Sequence, residues 1–69
     1  MLIKKSITLK RHRTSLSLEK EFWEALDLIA KNKNCSLQEL ISQIDLKRRS
    51  SLASSTRVYI LENLRKITL

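Results

Sequence analysis

The chain has 69 residues, with 14 Lys+Arg against 7 Asp+Glu and a formal net charge of +7 at pH 7. One domain is the limit at this length, and so small a core ordinarily needs a disulfide, a metal or a partner chain; with Cys35 as the single cysteine, an intrachain disulfide and a Cys-rich zinc site are excluded and oligomerisation remains. The absence of glycine argues against Gly-rich loops that cradle nucleotide phosphates, and the apolar runs are far shorter than the ~20 residues that span a bilayer.

Lys4, Lys5, Lys10, Arg11, His12 and Arg13 crowd the N-terminal segment with no acid among them, and Lys47, Arg48 and Arg49 form a second cluster. Such a balance suits a phosphate-bearing partner, either nucleic acid or an anionic membrane surface. The plain alternative is a solvated tail and a solvated helix end, and for Lys47–Arg49 the solvated end is preferred.

From Ser6 to Leu18 the apolar period is two. Ile7 and Leu9 alternate with Ser6, Thr8 and Lys10; past Arg11-His12-Arg13, Leu16 and Leu18 alternate with Ser15 and Ser17, with Thr14 in phase with the leucines. The stronger strand candidate is 13–18, whose polar face carries Arg13, Ser15 and Ser17 because side chains two apart share a face. At Glu19 the period becomes helical: Phe22, Leu26, Ile29 and Ala30 form a stripe beside Trp23, with acids gathered in the first turn. Asn32-Lys33-Asn34 is the expected stop, since Asn tolerates the left-handed conformation there.

Ser36-Leu37-Gln38-Glu39 reads as a capping box opening a second helix with Leu37, Leu40, Ile41 and Ile44 on its apolar face, running to about Lys47 or Arg49. A Ser-rich turn follows. Ser54 or Ser55 is the expected cap of a third helix carrying Val58, Leu61 and Leu64, with Ile60 and Ile67 as candidate additions. The reading is mostly α with one short strand. That strand needs a ladder partner; Ser6–Leu9 could fold back as a hairpin, but Lys10-Arg11-His12-Arg13 contains no favoured hairpin turn residue. Antiparallel pairing with the same strand of a second chain is the simpler solution, and it enlarges the core.

The run Lys5-Ser6-Ile7-Thr8-Leu9-Lys10-Arg11-His12-Arg13-Thr14-Ser15-Leu16-Ser17-Leu18-Glu19-Lys20-Glu21-Phe22-Trp23, continued by Ser36–Ile41, Ile44-Asp45 and Leu52-Ala53-Ser54-Ser55-x-Arg57-Val58, resembles the ribbon-helix-helix (Arc/MetJ-type) DNA-binding family. Within it the resemblance is to a short bacterial subfamily carrying His-Arg-Thr-Ser, Leu-Glu and Phe-Trp. It departs at one position: similar sequences commonly carry Gly before the His, where this chain has Arg11, and a positive φ there would be strained.

The resemblance implies an intertwined homodimer with an intermolecular antiparallel two-stranded ribbon, plus a third C-terminal helix. Residues 1–12 would be a basic N-terminal arm and 13–69 the domain. The ribbon would enter the major groove of double-stranded DNA. Base contacts map onto Arg13, Ser15 and Ser17; phosphate contacts map onto Lys10, Arg11 and His12, and onto Ser36, Leu37 and Gln38 at a helix N-terminus. Leu16, Leu18, Phe22, Trp23, Leu26, Ile29, Leu40, Ile41 and Ile44 would form the dimer core.

Phe22, Trp23 and Tyr59 are read as packing residues, since single-strand binders offer several exposed aromatics on a sheet. His12 and Cys35 lack the neighbours that a metal or nucleophile role needs, so no metal, no cofactor and no enzymatic activity are expected. The expected function is transcriptional repression by a cytoplasmic, nucleoid-associated protein, with assembly of dimers along DNA left open and no membrane role. Two alternatives stand: an antitoxin-type DNA-binding protein that also holds a toxin, ranked second because the third helix ends at Leu69 without the usual tail, and a dimeric protein-interaction module using the Val58, Leu61 and Leu64 face without binding DNA.

Overall fold

A β-hairpin opens the chain. In the computed structural model, which describes residues 1–68 and the side chains of residues 1–66, β1 (Leu2–Leu9) and β2 (His12–Glu19) pair antiparallel, from Leu9 opposite His12 to Leu2 opposite Glu19. Lys10 and Arg11 form the turn with φ of 51° and 69°. Two successive positive φ values are the signature of a type I′ turn, whose twist matches that of the flanking strands. Two expectations are corrected here. Most of the segment read as a basic arm is strand β1, and the strand count is two. The sequence gives no signal of this turn, because neither residue is one that favours the left-handed region, which costs roughly 1–2 kcal/mol per residue for a side chain with a Cβ.

What offsets that cost is tertiary. Ile7 of β1 is buried beside Leu16 and Leu18 of β2, and the Trp23 indole N–H donates to the Ile3 carbonyl at 2.9 Å. The Lys5 ammonium stands 4.8 Å from the centre of the Trp23 ring. At the other end of β1, the Gln38 side chain accepts from the Thr8 amide at 3.1 Å and donates to the Thr8 carbonyl.

Three helices follow: α1 (Lys20–Asn32), α2 (Leu37–Lys47) and α3 (Leu52–Thr68). The first ends as its sequence indicates. Asn34 takes φ 55°, the Cys35 amide donates to Ala30 O at 3.0 Å and the Asn34 amide to Lys31 O at 3.2 Å. This is a Schellman closure with Asn in the place usually given to Gly. The capping box of α2 is formed in full, Ser36 Oγ accepting from the Glu39 amide and Glu39 Oε1 from the Ser36 amide, both at 3.0 Å. By contrast α3 starts earlier than the expected Ser54 or Ser55 cap, because Ser51 Oγ takes the Ser54 amide at 3.1 Å and Ser51 O the Ser55 amide at 2.9 Å. The earlier start brings Leu52 and Ala53 into the helix, where both pack on the core.

The core lies between the inner face of the hairpin and the helices: Ile7, Leu16 and Leu18 meet Trp23, Leu26, Ile29 and Ala30 of α1, Leu40, Ile41 and Ile44 of α2, and Ile60 of α3. Each of the fully buried Leu and Ile side chains is worth about 1.5–3 kcal/mol relative to exposure. The face of α3 differs from the expected one. Thr56 and Ile60, one turn apart, point inward, while Val58 and Leu61 remain 54% and 57% exposed and Leu64 is also exposed. The Ile67 side chain lies outside those described.

Candidate nucleic-acid interface

Cross-strand partners share a face, so the register divides the hairpin in two. Lys5, Ile7, Leu16 and Leu18 lie on the inner face. Thr8 with Arg13, Ser6 with Ser15 and Lys4 with Ser17 make three polar pairs on the outer one. Arg13 and Ser15 are exposed and Ser17 is half-buried, while Lys4, Ser6 and Thr8 are all exposed. The residues expected to contact bases therefore do stand together on one solvent-facing surface. Sequence reading missed its other half. The alternation of Ser6 and Thr8 with Ile7 and Leu9 was the available signal, but without the hairpin nothing placed those residues beside Arg13, Ser15 and Ser17.

The hairpin tip concentrates charge. Lys10, Arg11, His12 and Arg13 are consecutive and all exposed, and the tight turn holds them at one end of the sheet. With no acid on either strand before Glu19, their field is uncompensated locally.

The two edges of the sheet differ. Both main-chain groups of Thr8 are taken by Gln38, so they point away from β2, and the Thr8–Arg13 pair is a non-hydrogen-bonded one. Antiparallel alternation then turns the main-chain groups of Arg13, Ser15 and Ser17 away from β1, toward the other edge. That edge has no backbone partner among the described residues. An open row of N–H and C=O groups is a template for another strand.

Ser36, Leu37 and Gln38 form the start of α2, where the first amides have no intrahelical acceptor. Ser36 is committed to the capping box, and the Gln38 side chain is committed to Thr8. What they can still offer an anion is the main-chain N–H of Leu37 and Gln38, with the helix dipole behind them. The Glu39 carboxyl in the same turn is held below its ordinary value by the Ser36 amide and then by the Ser36 hydroxyl.

At the far end of β2, Glu19 closes the sheet against α3: Arg57 Nη2 and Nε reach its Oε1 at 2.9 and 3.1 Å. Its carboxyl is held below its ordinary value first by its own backbone amide and then by Arg57. That ion pair explains why Glu19, at the N-cap position of α1, makes no side-chain cap there.

Of the residues expected in a dimer core, Leu16, Leu18, Trp23, Leu26, Ile29, Leu40, Ile41 and Ile44 are buried within the single chain, and Phe22 is half-buried against them with Arg57 over its ring at 5.7 Å. Tyr59 is half-buried, under Lys33 at 5.8 Å. Lys47, Arg48 and Arg49 are exposed, and Arg48 is turned onto Asp45 at 2.7 Å and the Ser50 carbonyl at 3.1 Å. Among the described residues no cluster of His, Cys, Asp and Glu could hold a metal ion, and no helix is long and apolar enough to cross a membrane.

No curated protein and no solved structure matches the chain. A family model does. It is described as a ribbon-helix-helix domain, a type associated with DNA-binding regulators and not typically with catalysis, and it matches residues 2–64. That span takes in both strands, α1, α2 and most of α3, and so the chain belongs to the ribbon-helix-helix family.

Proposed function

We propose that the protein is a homodimeric, sequence-specific binder of double-stranded DNA and acts as a bacterial transcriptional repressor on the nucleoid. The observation that carries this reading is the open edge of β2, flanked on its solvent face by Arg13, Ser15 and Ser17 and at its start by the basic tip. Antiparallel pairing of two such edges about a two-fold axis makes a continuous sheet with the β2 strands at its centre. Arg13 then supplies a bidentate fork for guanine O6 and N7, worth roughly 1–3 kcal/mol of discrimination, and Ser15 and Ser17 add hydroxyls of lower selectivity. Lys10, Arg11, His12 and the amides at the start of α2 hold phosphates.

The test compares Arg13→Ala with Lys10→Ala on an enriched site and on random duplexes. Arg13→Ala is expected to lose discrimination at one base position per half-site; Lys10→Ala is expected to weaken binding to all sequences alike. Equal losses on both DNAs for both variants contradict the base-reading role. A second reading, as an antitoxin-type protein or an interaction module, is favoured by the exposure of Val58 and Leu61 on α3; stable dimers without DNA affinity at low salt would select it.

A further inference from the structure

The major groove of B-DNA is about 12 Å wide and admits a two-stranded ribbon. A sheet made by joining two β2 edges has four strands, because each β2 brings its own β1. With strands about 4.8 Å apart, the two β1 strands lie about 14 Å from each other, wider than the groove. The β2 strands fit between the groove walls and the β1 strands come to rest over them.

From this we infer that the outer face of β1, Lys4, Ser6 and Thr8, is a phosphate-binding strip that seats the sheet on both walls of the groove. The inference rests on the DNA-binding reading and deepens it. Lys4, Ser6 and Thr8 stand directly beside Ser17, Ser15 and Arg13 on the same face, and all three are exposed. One is a cation and two are hydroxyls, a set suited to phosphate oxygens. A second observation places the strip: Gln38 clasps β1 at Thr8. That contact puts the start of α2, with its free amides, beside the same strand edge, so strip and helix terminus offer neighbouring donors to one backbone.

The strand also carries its own control. Lys5 is adjacent in sequence and identical in charge, yet it lies on the inner face with its ammonium 4.8 Å from the centre of the Trp23 ring. Removing either lysine takes the same charge from the chain; only Lys4 faces the DNA.

The experiment measures binding of the full chain, Lys4→Ala and Lys5→Ala to a pool of random duplexes across a salt series, then sequences the recovered fraction. Lys4→Ala is expected to weaken binding on all sequences and to reduce the slope of log K against log salt by about two per dimer, with the selected motif unchanged. Lys5→Ala is expected to keep the slope, and Ser6→Ala combined with Thr8→Ala to weaken binding without altering the motif. Equal slope losses for Lys4→Ala and Lys5→Ala overturn the strip, as does a motif change at one base position for Lys4→Ala, which would put β1 inside the groove. If the unaltered chain binds no duplex, the DNA-binding reading itself fails, an outcome distinct from failure of the strip.

Discussion

Arg11 is where local conformational cost and charge are in opposition. It sits at φ 69° beside Lys10 at 51°, in a turn that Asn-Gly would form without strain. Replacing Arg11 with Gly relieves roughly 1–2 kcal/mol of left-handed cost and gives back about 0.4–1 kcal/mol through the freer unfolded chain. Arg11→Gly should therefore raise the thermal midpoint by a few degrees while weakening DNA binding; a lowered midpoint would show that the turn is not left-handed at this residue. The sequence itself marks the position as one where a positive φ is strained, since Arg11 stands where similar sequences commonly carry Gly. What could not be read there was that the chain tolerates the strain, because the offsetting contacts come from Gln38 and Trp23, 27 and 12 positions away. Arg13, just past the turn, needed only the period-two pattern to be placed on a strand, whereas His12, expected in the basic arm, is the first residue of β2.

At the scale of elements, α1 and α2 were legible almost to the residue, since the apolar period, the Asn stop and the Ser36–Glu39 box all point the same way. The hairpin was not, because its turn lacks the residues by which hairpins announce themselves. The inward face of α3 is hidden from the sequence for a related reason: Val58, Leu61 and Leu64 outrank Thr56 in hydrophobicity, yet Thr56 is fully buried with Ile60. The Thr56 hydroxyl has no hydrogen-bond partner among the described residues, and a buried unsatisfied polar group costs about 1–3 kcal/mol. Thr56→Val keeps the shape and removes the hydroxyl, so it should raise stability in chemical denaturation; a fall would mean that the hydroxyl is satisfied by a neighbouring carbonyl.

The ends of β2 and α2 carry a pH dependence of known sign. Glu19 and Glu39 both have folded values below their ordinary 4.5. The unfolded chain therefore takes up protons first as pH falls, and the stability these groups supply is present above 4.5 and is lost as pH drops through their folded values. Thermal midpoints followed from neutral pH down through the carboxylate range should hold level and then decline. Glu19→Gln and Glu39→Gln should each flatten that decline, and an unchanged profile in either variant would remove that carboxylate from the account.

Over the whole molecule, two features foreseen from composition come together on one hairpin: excess positive charge and the need for a second chain. The charge occupies the tip and outer face, and the unpaired backbone occupies the edge of β2 beside them. Sequence alone could assign Arg13, Ser15 and Ser17 to a shared face; it could not show that β1 already fills one side of β2 and that the other side has no backbone partner among the described residues. The proposed function puts base reading and dimerisation on the same strand, and so predicts that they are lost together when the β2 edge is blocked.

The most direct test is selection of bound sequences from a random duplex pool, with the number of chains per bound duplex measured on the recovered site. Two β2 strands joined edge to edge predict an even number of chains on a two-fold-symmetric motif, with affinity falling steeply as salt rises. One chain on a motif without symmetry would contradict the joined edge and leave the single hairpin as the reading element.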